Sequence, residues 1–323
     1  MALNMALLVT LLVLLPAAYA AGFWIKGNTH AHTTQSDGDS PPEKVVEWYK
    51  SHGYSFLVLS DHNKVVDPAG YDTDHSDNFL LIPGEEISAD SNGAPVHVNA
   101  LGVNNSLPPL AGVGLANCIR KNVEAVLAAG GVAIVNHPNF GYAFDHRQLK
   151  TVTQMDLFEI YNGHPAVNNA GDNAHLSVEQ IWDNLLSLGT QVYGVAADDA
   201  HHFATFGLKR ANPGRGWIMV RVNELSQSEI LEKMRQGDFY ASTGVALGDY
   251  SVDRSAIGIS IEPVPRVRYV TEFIGLNGQA LHEVKGRLAI YRFTGDSAEV
   301  YVRARITASD GSRAWTQPVR RRS

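Results

Sequence analysis

Short apolar runs that stop at a histidine or an acid constrain this chain more than any other feature it carries. Phe56-Leu57-Val58-Leu59-Ser60 runs into Asp61-His62, Val132 to Val135 precedes His137-Pro138, and Val192 to Ala196 delivers Asp198-Asp199. Leu157-Phe158-Glu159-Ile160 reads as a further strand. Helical stretches lie between these runs. Pro41-Pro42 open a helix to about His52, with Glu43, Lys44 and Glu47 facing water and Val46 and Tyr49 facing inward. Asn117 to Ala129 is a second helix, closed by Gly130-Gly131. Ser177 caps a third with Gln180 at the third following position, and Trp182, Leu185 and Leu186 form its apolar face. From Trp24 to about Asp199 the alternation predicts β/α units, and in such folds sites assemble at the carboxyl ends of the strands.

A helix over Glu224 to Gln236 is expected to close a first domain spanning 22–247. Beyond it the helical pattern stops. Ile257 to Ile261, Arg266 to Ile274, Leu288 to Phe293 and Val300 to Ile306 read as strands separated by turns at Asn277-Gly278, Gly295-Asp296 and Asp310-Gly311. Residues 248–323 are therefore expected to form a small all-β domain, whose simplest role is to cover one end of the first.

At 323 residues, with 18% charged residues and a formal charge of −7, the chain can bury a large core and offers nucleic acid no bulk electrostatic attraction. Arg320-Arg321-Arg322 reads as a solvated tail. The apolar block Ala6 to Leu15, followed by Pro16 and Ala18-Tyr19-Ala20, reads as a signal peptide over 1–21, giving a secreted or periplasmic protein. The block is too short to span a bilayer, so the mature chain is expected to lack a transmembrane segment, and a retained N-terminal anchor is the alternative. A lone Cys118 excludes an intramolecular disulfide and a thiolate metal site. No dinucleotide, Walker or nucleophile-elbow motif is present.

The polar clusters carry the chemistry. His30-Ala31-His32 sends two imidazoles to one face of a strand, and Asp37, in Ser36-Asp37-Gly38, can fold back toward them as Gly38 eases the turn. His62 ends an apolar strand, with Asp61 placed to orient it through the second ring nitrogen. Glu85 and Glu86 compete as a carboxylate able to bridge two ions about 3.5–4 Å apart. His97 has apolar neighbours and reads equally as a core histidine, His137 is held by Pro138, and Asp199-Ala200-His201 repeats the two-residue spacing. Asp198 and His202 would point the other way. Imidazole and carboxylate suit divalent manganese, zinc or iron, and nine such side chains exceed one tetrahedral ion, so two or three ions are expected. His164, Asn168 and His175 fall in a polar loop over the site and could meet substrate, while His52, His75, His146 and His282 read as solvent-facing.

Lys26-Gly27-Asn28-Thr29-His30-Ala31-His32, Ser36-Asp37-Gly38, Ser60-Asp61-His62-Asn63, Gly84-Glu85-Glu86, His137-Pro138 and Asp199-Ala200-His201 together resemble the PHP (polymerase and histidinol phosphatase) family. The chain looks most like a secreted branch containing bacterial carbaryl and carbofuran hydrolases and metal-dependent phosphoesterases. The resemblance implies an α/β fold, a distorted (β/α)7 barrel with a trinuclear centre. One ion would take His30, His32, Glu86 and Asp199, a second Asp37, His62 and His201, and Glu86 would bridge to a third held with His97 and His137. The family pattern Gly-x-Glu selects Glu86 over Glu85, and Glu86, Asp199 and His201 are the expected catalytic residues. The expected function is hydrolysis of a small-molecule phosphate ester, a diester foremost, by metal-activated hydroxide. A carbamate or aryl ester hydrolase on the same centre is the alternative, and a metal-dependent envelope or carbohydrate binding protein a third reading. Lys26 and Arg147 are the nearest cations to clamp a phosphate. Oligomeric state is not legible.

Overall fold

The structure is a computed structural model that describes residues 22–71 and 78–320. The expected signal peptide, His75, Arg321 and Arg322 lie outside the described residues. β1 (Phe23–Asn28) leads to α1 (Pro42–Ser51), β2 (Phe56–Val58) and β3 (Leu80–Ile82). A hairpin of β4 (Gly84–Ser91) and β5 (Ala94–Leu101) follows, then α2 (Leu115–Ala128), β6 (Val132–Val135), α3 (His146–Leu149), β7 (Leu157–Asn162), α4 (Val178–Ser187) and β8 (Tyr193–Ala197). β9 (Trp217–Val222), α5 (Gln227–Gln236) and β10 (Phe239–Ser242) come next. The remainder holds β11 (Leu247–Val252), β12 (Ala256–Ile261), β13 (Tyr269–Ile274), β14 (Ala280–Lys285), β15 (Leu288–Arg292), β16 (Arg303–Ala308) and β17 (Arg313–Thr316).

Local chemistry sets the helix ends. Pro42 starts α1 with its φ already helical, and Val45, Val46 and Tyr49 are buried while Glu43, Lys44 and Glu47 face water. The Ser177–Gln180 capping box opens α4. α5 begins at Gln227, not Glu224, because Ser226 is its cap and the Glu229 carboxylate accepts the backbone N–H groups of Asn223 and Glu224.

Strand pairing corrects the expected (β/α)7 barrel. The strands form a nine-stranded sheet ordered β14-β13-β16-β17-β10-β9-β1-β2-β3, a five-stranded sheet β4-β5-β6-β7-β8, and a three-stranded sheet β11-β12-β15. Two departures from β/α repetition explain this. Asn92 and Gly93, both at positive φ, turn β4 straight back onto β5 as an antiparallel hairpin, and β9 runs antiparallel to β1. Five α-helices are present among the described residues, too few for one after every barrel strand. The two larger sheets meet instead at isolated parallel bridges, His62 with Glu86 and Ala31 with Ala200. Between them lies one apolar core: Ile25, Phe56 and Ile218 come from the first sheet, and Ile134, Leu157 and Val195 from the second. Gly27 permits the close approach of β1 to β2, since a Cβ there would fall 2.0 Å from the Phe56 ring.

The C-terminal strands continue the first sheet through β17, which pairs with β10. A buried ion cluster fastens them to α4. Arg303, fully buried, donates from Nε and Nη2 to Asp183 at 2.8 and 2.7 Å and from Nη2 to Glu179, and Tyr301 donates to Asp183 at 2.8 Å. Arg320 is not solvated as expected: its guanidinium donates to the carbonyls of Leu186, in the last turn of α4, and of Thr190, just beyond that helix. Removing Arg303 leaves the Asp183 carboxylate buried without its main partner, so Arg303→Ala is expected to cost about 3–5 kcal/mol in denaturant unfolding. A loss below 1 kcal/mol would mean the cluster does not hold the tail to α4.

Candidate metal centre

Each candidate side chain leaves the end of a strand or the turn beyond it. His30 and His32 follow β1 and are both fully buried. The Asn92-Gly93 turn sets the β4–β5 register, so that Glu86 pairs with Asn99 and Ser88 with His97, which places Glu86 and His97 diagonally on one face. His62 follows β2 and bridges to Glu86. His137 follows β6, and Asp199 and His201 follow β8.

Glu86 is the hub. Its Oε2 lies 3.3 Å from His30 Nε2, 3.4 Å from His32 Nε2 and 3.1 Å from His62 Nδ1. Its Oε1 lies 3.0 Å from His97 Nδ1 and 3.1 Å from His137 Nε2. Asp199 Oδ1 sits 3.3 Å from His30 Nε2 and 3.2 Å from His32 Nε2. Asp37 Oδ1 is 3.3 Å from His201 Nε2, and Asp37 Oδ2 is 3.5 Å from His62 Nε2. All nine candidates therefore converge. Four overlapping groups of donor atoms each lie within 4.8 Å: His32, Asp37, His62 and His201; His30, His137 and Asp199; His30, His32 and Glu86; His62, Glu86 and His97. This grouping puts His32 beside Asp37 as well as beside Glu86, where the family resemblance allots it to one ion. Glu85, on the opposite face of β4, accepts from Leu107 N and takes no part.

The arrangement fits divalent cations on its own chemistry. His30 Nε2 and His32 Nε2 are buried and have no hydrogen-bond partner. A tetrahedral ion with bonds of about 2 Å holds its donor atoms about 3.3 Å apart, which matches the spacing of these nitrogens from Glu86 and Asp199. Electrostatics point the same way. Burial opposes ionisation of Glu86, yet His30, His97 and His137 hold its carboxyl well below the usual range, and His30, His32 and His137 do the same for Asp199. Burial also opposes protonation of His30, but Asp199, Glu86 and Glu159 raise its pKa well above the ordinary value. Against the same opposition, Asp37 and Glu86 lift His62 to about 10. His32, by contrast, is pushed down to about 4 by burial and by His201. The carboxylates thus favour positive charge among the imidazoles, at His30, His62, His137 and His201.

Several supporting residues escaped the sequence reading. Glu159, inside an apolar strand, accepts from His30 Nδ1 at 2.7 Å and from His137 N at 3.0 Å, an arrangement that fixes the His30 tautomer. A buried acid between Phe158 and Ile160 was its signal. Asn136 donates to Glu86 at 2.9 Å, and Asn162 to Asp199 at 3.1 Å. Asp61 does not orient His62. It accepts from Thr33 N, Thr33 Oγ1 and Ser36 Oγ and so shapes the loop carrying Asp37, while His62 Nδ1 meets Ser88 Oγ at 2.6 Å. Gly38 serves by close approach, because a Cβ would lie 2.6 Å from the His32 carbonyl. Asp198 accepts from Tyr49 Oη and from the backbone of Gly214, Arg215 and Gly216. These bonds anchor the turn in which Asp199 adopts a left-handed φ of 50°, a strained conformation for a non-glycine residue.

Of the rim candidates, His164 is at the site, its ring 5.3 Å from that of His201. His175 stacks on Tyr142 at 3.7 Å and Asn168 donates to Tyr142 Oη, so both serve the loop fold. Neither expected phosphate clamp is available: Lys26 Nζ lies over the Tyr54 and Trp217 rings, and Arg147 is paired with Asp145.

Glu159→Gln is expected to weaken metal binding roughly 10- to 100-fold, read by competition with a metallochromic chelator. Because neighbouring carboxylates raise the pKa values of His30 and His62, metal loading is expected to displace protons. Calorimetry at pH 7 should therefore show net proton release across buffers of different ionisation enthalpy, with apparent affinity rising toward pH 10 and falling with acid. Buffer-independent heats would contradict this.

No family model and no curated protein sequence matches the chain. Among solved structures it is similar to a two-domain protein from Bacteroides vulgatus containing a predicted PHP-like metal-dependent phosphoesterase, with 16% identity over 92% of this chain and 96% of that one and a TM-score of 0.52. Lower similarity joins it to a protein from Bifidobacterium adolescentis named as a metal-dependent phosphoesterase (15% identity, 65% of this chain, 94% of that one, TM-score 0.44). An amidohydrolase from Chromobacterium violaceum with bound sulfate and no metal matches at 12% identity, over 66% of this chain and 96% of that one, with a TM-score of 0.42. The first likeness runs nearly the full length of both chains, and what it establishes is a shared fold.

Proposed function

We propose that the chain is a metal-dependent hydrolase of phosphate esters, diesters foremost, acting at a centre of two or three divalent ions. The observation that carries this reading is the pair of buried, unpartnered nitrogens on His30 and His32, which face two carboxylates at metal-ligand spacing. His30, His32, Glu86 and Asp199 would hold one ion, Asp37, His62 and His201 a second, and Glu86 with His97 and His137 a third. Bound divalent ions lower the pKa of water and polarise a phosphoryl or acyl oxygen. The chain's residues do the rest. Glu159 and Asn136 orient donors, Asn162 and the strained turn aim Asp199, and Phe140, whose ring lies 5.5 Å from that of His137, walls one side. His164, its ring 5.3 Å from that of His201, would meet substrate beside it.

A carbamate or aryl ester hydrolase is the second reading, favoured by one observation: the two cations nearest in sequence to the motifs are engaged elsewhere, which suits a diester or neutral ester better than a dianionic monoester. Export directed by residues 1–21 belongs to the same proposal. Protein reloaded with manganese, zinc or iron is expected to cleave bis-p-nitrophenyl phosphate or an aryl ester and to lose turnover on chelation. His32→Ala and Asp199→Ala should each lower kcat at least about 100-fold with the fold intact by circular dichroism. Full metal loading without turnover on a broad panel of diesters, monoesters and carbamates would refute the hydrolase assignment.

A further inference from the structure

Immediately after His201 the chain forms a protruding loop in which every residue from 204 to 210 is exposed. Leu208 is 97% and Phe206 59% exposed, and the exposed Lys209 and Arg210 follow directly. Single exposed apolar residues are ordinary on a protein surface. This loop differs because it is built to keep them there. Asn212 donates to the carbonyls of His202 and Thr205 at 2.7 and 2.8 Å and accepts from Gly207 N at 2.9 Å. Arg215 donates to the carbonyls of Gly163 and Gly207. Asp39 accepts from Phe203 N at 2.9 Å and from Ala204 N, which ties down the start of the loop. Trp48, half-buried, lies beneath Phe206 with the rings 6.5 Å apart. These bonds fix the base of the loop on either side of Leu208, which stays 97% exposed.

We propose that the loop 204–210 is a docking prong for an anionic lipid surface, with Phe206 and Leu208 entering the boundary between headgroups and acyl chains and Lys209 and Arg210 meeting lipid phosphates. The pairing of apolar and basic side chains is what such an interface selects, and a few inserted side chains suffice. A protein partner needs about 800 Å² of surface on each side, more than a convex loop of two apolar side chains supplies. Charge complementarity is local, since the chain as a whole carries −7 while the tip presents two cations with no acid paired to them among the described residues. Docked here, the centre beginning at His201 would face esters held at the lipid surface. That consequence rests on the hydrolase reading, whereas the docking does not.

Leu208→Cys tests the docking directly, because Cys118 is fully buried and a polarity-sensitive thiol dye would report position 208. Adding phosphatidylglycerol–phosphatidylcholine vesicles should shift the dye emission to the blue, and phosphatidylcholine vesicles alone should shift it little. In co-sedimentation with the mixed vesicles, Leu208→Ser and Lys209→Glu/Arg210→Glu should each weaken binding at least tenfold, while Leu188→Ser, an exposed leucine at the end of α4, should not. An unshifted dye, equal binding by all variants, or capture of single-stranded oligonucleotide in preference to vesicles would overturn the proposal. Hydrolysis of a soluble ester, followed in the same samples, reports separately on the enzyme assignment.

Discussion

The structure depends on one buried carboxylate. Glu86 is 1% exposed, yet its two oxygens lie within 3.4 Å of five imidazoles drawn from β1, β2, the β4–β5 hairpin and β6. Burying that many ionisable groups is unfavourable unless positive charge balances the acids. The acids raise the pKa values of His30 and His62 accordingly, and divalent cations would balance them better. The backbone of the same residue also joins the sheets, since Glu86 in β4 bridges to His62, just beyond β2.

A second layer of polar contacts keeps this cluster from collapsing on itself. Glu159 holds His30, Asn136 holds Glu86, Asn162 holds Asp199, and Asp61 holds the loop that brings Asp37 inward. Asp198 anchors the turn that lets Asp199 persist at positive φ, storing local strain where the ligands must converge. Further out, Asp183 and Arg303 bind α4 to the C-terminal strands. The tail thereby shares the rigidity of the sheet that carries His30 and His32, because β17, β10, β9 and β1 are hydrogen-bonded neighbours.

No lysine or arginine belongs to the groups of metal-site donors among the described residues. Lys26, which leaves β1 just before the metal motif, is drawn between the Tyr54 and Trp217 rings, and burial lowers its pKa to about 8. Lys209 and Arg210 project outward on a loop whose base is tied by Asn212 and Arg215. The convergent donors of the centre are imidazoles and carboxylates alone.

Several helices, several strand runs and the candidates His30, His32, Asp37, His62, His137, Asp199 and His201 were legible in the sequence as local patterns, whereas Glu86 was separated from Glu85 by the family resemblance and His97 read equally as a core histidine. An apolar run that stops at a histidine, Pro42 at a helix start, or Ser177 three residues before Gln180 needs no knowledge of distant chain. Other features were decided only by tertiary structure. Glu159 and Asn136 meet their partners across 129 and 50 residues, and the sharing of His32 between donor groups requires three strands side by side. The division into separate sheets follows from the β4–β5 hairpin and from the direction of β9. The Asn92-Gly93 turn could have announced the first, but the second is set by packing around a common core. Sequence offered the candidates, because residue type and spacing are written along the chain. Tertiary structure chose which of them face one another, because that depends on contacts between segments far apart in it.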